Sequence, residues 1–362
     1  MVALDFLKNF EKSIEDVDGI GDSSQPPRYW YSTGNYVLNK IISGSFNKGI
    51  PQGRLTNFSG PSGSGKSYLA ANCIKNAQAA GAFVLVVDSE NALDDTFMQA
   101  IGVDIENNYM YKSVTTIPQV TKVVSSFLQA YNKEYNNDHN APQILIVVDS
   151  LDMLLSEKEV EIFEAGGQHG DMGQRNKQLK QMLRTFVQAI KSLNVAIITT
   201  SQVYKNQDLK SGDGVWIQAE AVKYSASQII LLTKLKLKDT GSAEVKGIRM
   251  KCEIAKSRFS APFQSVTVEV PYKTGMDPLS GLVEVACNLG IVEKRGSRYG
   301  FTGEEESWYS KDIAEYAPKI LSIAEQQKDA FLRFKETMDE IDENDGETVT
   351  ETKAKRKKKV TV

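Results

Sequence analysis

The sequence is poor in the residues that build metal and disulfide sites: it has three cysteines and two histidines in 362 residues. Cys73, Cys252 and Cys287 are far apart and share no ligand spacing. A disulfide framework and a zinc site are therefore not expected, and reduced thiols fit a cytoplasmic protein. His169 has no partner pattern for a metal. No apolar run approaches the roughly 18 residues of a membrane helix, so no membrane partner is expected. The start, "MVALDFLKNFEKSIEDVDG", lacks the basic opening and cleavage site of a signal peptide. A net charge of −3 argues only weakly against a nucleic-acid partner, because affinity for DNA depends on local charge.

What is present is organised in blocks. Leu4, Leu7, Phe10 and Ile14 recur at helical spacing. A helix so short is marginal alone, so it is expected to pack on its own core or on a neighbouring subunit. "GDSSQPPRYWYSTGN" reads as a linker, closing a first block at residue 31. From 32 to 270, "RLTNFSG", "AFVLVVDSE", "QILIVVDS", "VAIITTSQ" and "QIILLTKL" alternate with helix-like segments. Such near-continuous apolar runs predict an α/β fold with a mostly parallel sheet covered on both faces. "IRMKCEIAKSRFSAPFQSVTVEV" predicts an antiparallel hairpin at the sheet edge. Residues 271–336 are expected to form a small C-terminal α/β domain. The last block, 337–362, has seven acids between Asp339 and Glu351, then six basic residues between Lys353 and Lys359. Its composition predicts a disordered tail.

Gly60-Pro61-Ser62-Gly63-Ser64-Gly65-Lys66-Ser67 matches G-x-x-x-x-G-K-[ST], between a strand-like and a helix-like segment. The glycines let backbone N–H groups converge on phosphate oxygens at a helix N-terminus. Lys66 is expected to reach the terminal phosphates of ATP, and Ser67 to hold Mg²⁺. Asp149 ends a buried strand, where it can support the metal or cap the next helix. Glu90 ends another strand and can act as general base on water; Asp88 competes for that role. Gln202, at the end of a third strand, can hydrogen-bond the γ-phosphate.

Two long polar segments suit single-stranded DNA, because phosphates need charge and bases need stacking. The second, after Gln202, holds Lys205, Lys210 and Lys223 beside Tyr204, Trp216 and Tyr224. The first, "EAGGQHGDMGQRNKQLKQMLR", holds Met172, then Arg175, Lys177, Lys180 and Arg184. Both read as loops.

In order and spacing, "GIPQGRLTNFSGPSGSGKS", "VDSENALD", "ILIVVDSL", "GGQHGDMGQR", "ITTSQ" and "EIAKSRFSAPF" resemble the RecA recombinase family. The wording of "KSR" and "DPLSGLV" is nearest to UvsX-type phage recombinases, which implies a host cytoplasm. The resemblance implies ATP-dependent strand exchange: a homo-oligomeric helical filament on single-stranded DNA pairs it with homologous double-stranded DNA. It also implies a single-stranded-DNA-binding protein and a loading mediator as partners. It places Phe97 on adenine with Asp94 near the base, and gives Lys256 and Arg258 a role across the subunit interface on a neighbour's ATP. "IQAEAVKY" departs from the family, which usually has adjacent glycines there. The rival assignment is a RecA-like hexameric helicase, which usually carries a larger accessory domain.

Overall fold

The computed structural model describes residues 26–136, 138–167, 172–205, 215–217, 219–238 and 244–327. The expected N-terminal helix and charged tail lie outside the described residues. The chain enters through β1 (Trp30–Tyr31), α1 (Tyr36–Ser43) and β2 (Ile50–Pro51). Next come β3 (Leu55–Ser59), α2 (Lys66–Ala79), β4 (Phe83–Asp88), α3 (Asp95–Ile101), β5 (Tyr109–Ser113), α4 (Ile117–Tyr135) and β6 (Ile144–Asp149). They are followed by α5 (Glu157–Glu164), α6 (Met172–Ile190), β7 (Val195–Ser201), β8 (Val203–Lys205), β9 (Val215–Ile217) and α7 (Ala221–Ser225). β10 (Gln228–Leu237), β11 (Gly247–Ser257) and β12 (Ser265–Pro271) complete the main sheet. α8 (Leu282–Asn288), β13 (Val292–Arg295), β14 (Arg298–Phe301) and α9 (Ile313–Gln326) end the described chain.

Eight strands form the main sheet in the order β12-β11-β10-β3-β7-β6-β4-β5. The six from β10 to β5 run parallel, and β11 and β12 add an antiparallel edge hairpin. This is the expected α/β architecture. Strand residues alternate between two apolar layers, as a pleated strand buried on both faces must. Val84, Val86, Leu145 and Val147 join one layer, with Leu69, Ala70, Cys73 and Ile74 of α2. Leu85, Val87, Ile146 and Val148 join the other, with Val120, Val124 and Leu128 of α4 and Leu183 and Phe186 of α6. α4 starts on a reciprocal cap between Thr116 and Gln119, and its apolar residues at three- and four-residue spacing set its buried face. Residues 282–324 bury Leu282, Val292, Phe301, Trp308 and Ile320 in the same layer as α2. No helix among the described residues is long and apolar enough to cross a membrane.

Two sequence expectations need correction. "RYWY" is not part of a linker: Trp30–Tyr31 pairs with Ile50–Pro51, and Tyr31 is fully buried against the core. The aromatic side chains outweigh the flanking prolines as a signal. β5, "YMYKS", was not among the expected strands because it is too polar to read as a buried run; it forms as the half-exposed edge beside β4.

Candidate nucleotide site and nucleic-acid interface

The phosphate loop leaves a strand that is buried along its whole length. The polar residues of β3 are paired there. Thr56 Oγ1 donates to Gln228 Oε1 at 3.0 Å, and Asn57 Nδ2 donates to Thr199 Oγ1 at 2.9 Å and Ser201 Oγ at 3.0 Å. The end of β3 is therefore fixed, and Gly60 N donates to Ser201 O at 3.1 Å. Gly63 (φ 69°) and Gly65 (φ 102°) take left-handed backbone that favours glycine. At Gly60 the need is space: an added Cβ would stand 2.6 Å from Leu232 O. Gly65 caps α2 without a side-chain bond, so the first N–H groups of the helix remain for an anion. Lys66 is buried, and its Nζ donates to Gly60 O at 3.0 Å and Pro61 O at 3.1 Å. Burial lowers its pKa, and Glu90, Asp149 and Asp152 oppose that fall.

Asp149 stands where β6 ends between β4 and β7. Its Oδ1 accepts the Thr200 hydroxyl, and burial raises its pKa against the pull of the Thr200 and Ser67 hydroxyls. Its Oδ2 is buried with no hydrogen-bond partner. An unpartnered carboxylate oxygen beside a serine hydroxyl at a phosphate loop is a donor set that fits Mg²⁺. Among the described residues no group of three or more His, Cys, Asp or Glu forms a self-sufficient metal cage. That suits an ion whose other ligands are phosphates and water.

The ends of β4 and β6 are laced together. Ser89 N donates to Asp149 O at 2.7 Å, Ser150 N to Ser89 Oγ at 3.0 Å, and Ser89 Oγ to Ser150 O at 2.7 Å. The Asp149–Ser150 peptide is cis. Ser150 Oγ donates to Glu90 Oε1, which orients an otherwise exposed carboxylate. Asp88 is different. It is fully buried, and both oxygens are spent on Glu90 N (2.8 Å), Leu93 N (3.0 Å) and the Tyr111 hydroxyl (3.2 Å). Of the two candidate bases, only Glu90 has a carboxylate on the open side. Gln202 follows β7, and its N–H donates to Asp152 Oδ2 at 2.5 Å.

Residues 5–277 match the model of the RecA N-terminal domain. The chain is 30% identical to Protein RecA of Aquifex aeolicus over 300 residues, 82% of this chain and 77% of that protein. It is 27% identical to Protein RecA of Crocosphaera subtropica over 346 residues, 94% of this chain and 93% of that protein. Protein RecA of Thermus aquaticus shares 29% identity over 280 residues, 77% of this chain and 78% of that protein. The chain belongs to the RecA family of recombinases.

On this RecA-family core the residues expected at a subunit interface lie two strands from β3, level with its first half. Lys256 pairs across from Ile229, and Ile229 from Asn57. Ser257 and Arg258 thus lie toward the start of β3, whereas the phosphate loop leaves its other end. Lys256 Nζ donates to Lys223 O at 2.6 Å, and its pKa is lowered by burial and by Arg258. Arg54, which the motifs did not flag, shares this end: burial and Arg258 lower its pKa too. Asp94 caps α3 through Phe97 N at 2.9 Å, and Phe97 is half-buried against the core.

The first candidate DNA segment is mostly helix, not loop: Met172 opens α6, and Leu179, Met182, Leu183, Phe186 and Ile190 bury its inner face. Lys177, Lys180 and Arg184 are exposed on the other side at helical spacing. Arg175 departs from that group. Its Nε donates to Leu154 O at 2.8 Å, and its Nη2 to Leu151 O at 3.0 Å and Asp152 O at 2.8 Å. The second segment is a hairpin rather than a plain loop: β8 and β9 pair Val203 with Ile217, Tyr204 with Trp216 and Lys205 with Val215. Lys210 lies outside the described residues. Ala219, of the departing "IQAEAVKY", is fully buried. Lys223 is half-buried on α7, and Lys180 Nζ lies 5.3 Å over the ring of the exposed Tyr224. The two segments therefore touch, a relation that motif spacing did not reveal.

Proposed function

We propose that this RecA-family chain is a DNA-dependent ATPase that drives homologous pairing and strand exchange from a helical filament on single-stranded DNA. Residues 32–270 would carry the ATPase core, and 271–336 the smaller C-terminal part. What supports the proposal is the placement of Lys256 and Arg258 toward the start of β3, whereas Lys66 follows its other end. A transferring phosphoryl is stabilised by cations around it. Lys256 and Arg258 would serve a site of this kind on a neighbouring copy, so that head-to-tail assembly completes the chemistry.

In that assembly the loop N–H groups from Gly60 to Ser67 and the Lys66 ammonium bind the phosphates of ATP. Ser67 and Asp149 would hold Mg²⁺, which when bound supplies charge that screens the phosphate oxygens. Glu90, held by Ser150, takes the proton of the attacking water. Asp94 and Phe97 would line the base, and Gln202 senses the γ-phosphate at the root of the second DNA segment. Lys177, Lys180, Arg184, Lys205, Lys210, Trp216 and Lys223 are the proposed DNA contacts, with Met172 at the head of α6. Arg175 is a clamp for the turn after β6, given its three carbonyl partners. A single-stranded-DNA-binding protein and a loading mediator are the proposed partners, in the cytoplasm.

Electron microscopy of the chain with ATP and single-stranded DNA tests this. Long helical filaments, together with product in an assay joining homologous DNAs, are expected. Closed rings with unwinding activity would instead assign a helicase.

A further inference from the structure

The turn after β6 carries a carboxylate that none of the phosphate-site motifs uses. Asp152 Oδ2 accepts the Gln202 N–H at 2.5 Å, and Oδ1 is buried with no hydrogen-bond partner. The Asp152 backbone carbonyl accepts from Arg175 Nη2 at 2.8 Å, and Arg175 holds the carbonyls of Leu151 and Leu154 as well. One short turn is thus gripped from two sides. The residue at the root of the second DNA segment holds its side chain, and a guanidinium near the head of α6 holds its backbone. The charged groups facing Asp152 are Arg175, Lys66 and Glu90. The last two belong to the nucleotide site.

We propose that Asp152 is the positioning residue through which the nucleotide site controls both DNA-facing segments, by fixing the Gln202 backbone and, through its own turn, Arg175 and the head of α6. This rests on the assignment of Gln202 as γ-phosphate sensor. A buried charged oxygen without a partner is costly, and a turn that served packing alone would be better served by a neutral residue. The chain keeps the charge where it can respond. Lys66 stabilises the ionised Asp152. A γ-phosphate that draws the Gln202 side chain shifts the Gln202 backbone, and the charge-assisted bond from Gln202 N–H to Asp152 couples that shift to the turn. The turn then moves with nucleotide, and Arg175 carries the shift to α6.

The test measures affinity of the full chain for a labelled single-stranded oligonucleotide, with and without a non-hydrolysable ATP analogue. The readout is the ratio of the two dissociation constants, alongside kcat and KM for DNA-stimulated ATP hydrolysis. Asp152→Ala should lower that ratio about tenfold while KM for ATP moves by less than about threefold, the scale of one charge-assisted hydrogen bond. Asp152→Asn keeps an acceptor oxygen but no charge, so it should fall between Ala and wild type. If Ala does not fold, Asn decides alone, and a wild-type ratio in Asn overturns the proposal. So does an Ala variant whose ATP KM rises as steeply as its ratio falls, since that marks a part of the nucleotide pocket. A wild-type chain whose DNA affinity ignores the ATP analogue would overturn the sensor assignment itself, before any variant is compared.

Discussion

The Asp88 carboxylate binds the backbone of Glu90: Oδ1 accepts from Glu90 N at 2.8 Å. Two acids of one strand end are thereby divided, one spent on shaping the turn and the other presented to the site. Glu90→Gln should keep ATP binding and lose turnover by about 10²- to 10⁴-fold, because an amide cannot accept the proton of water. Asp88→Ala should instead lower stability by about 3 kcal/mol or more, since it strands several donors of a fully buried carboxylate. ATP binding assays and urea unfolding separate the two outcomes. Near wild-type turnover in Glu90→Gln would remove it as the base.

The phosphate loop and the strand ends that carry Asp149 and Glu90 were readable because they lie in local spacing. The parallel sheet was readable from the apolar runs of β4, β6 and β7, whereas the polar β5 was not. Asp152 was not, since its role depends on Gln202 and Arg175, which reach it from other parts of the chain. Arg175 looked like one more cation in a basic run, and only the carbonyls of Leu151, Asp152 and Leu154 set it apart. The helix under Lys177 and Arg184 was hidden by the glycines just before it, although Leu179, Leu183, Phe186 and Ile190 already carried the period.

Burial pushes the Asp152 carboxyl from its ordinary 3.8 up to about 6, against the pull of Gln202 N–H, Arg175 and Lys66 and with the push of Glu90. The folded chain therefore binds this proton more tightly than the unfolded chain. Stability from this group falls as pH rises from about 4 to about 6 and stays low at neutral pH, by up to about 3 kcal/mol. Asp152→Asn removes the titration. It should be more stable than wild type in urea at pH about 7, with the advantage shrinking toward pH about 4. An advantage equal at both ends would contradict the assignment.

DNA affinity should fall steeply with salt, because neutralised phosphates release counterions. Lys177→Ala or Arg184→Ala should each flatten the slope of log affinity against log salt by about one. Arg175→Ala should leave that slope unchanged and lower the melting temperature, because its donors hold carbonyls. A flattened slope in Arg175→Ala would return it to the DNA contacts.

In the proposed assembly, two copies of the chain build each working site. Mixing two inactive variants tests it most directly: Lys66→Ala, defective in its own phosphate loop, and Arg258→Ala, defective in the cation it lends. Each alone should hydrolyse ATP poorly on single-stranded DNA. Mixed in equal amounts, they should recover about a quarter of wild-type turnover, the share of interfaces that pair an intact loop with an intact arginine. A mixture no more active than its two components would contradict the claim and return Arg258 to the subunit that carries it.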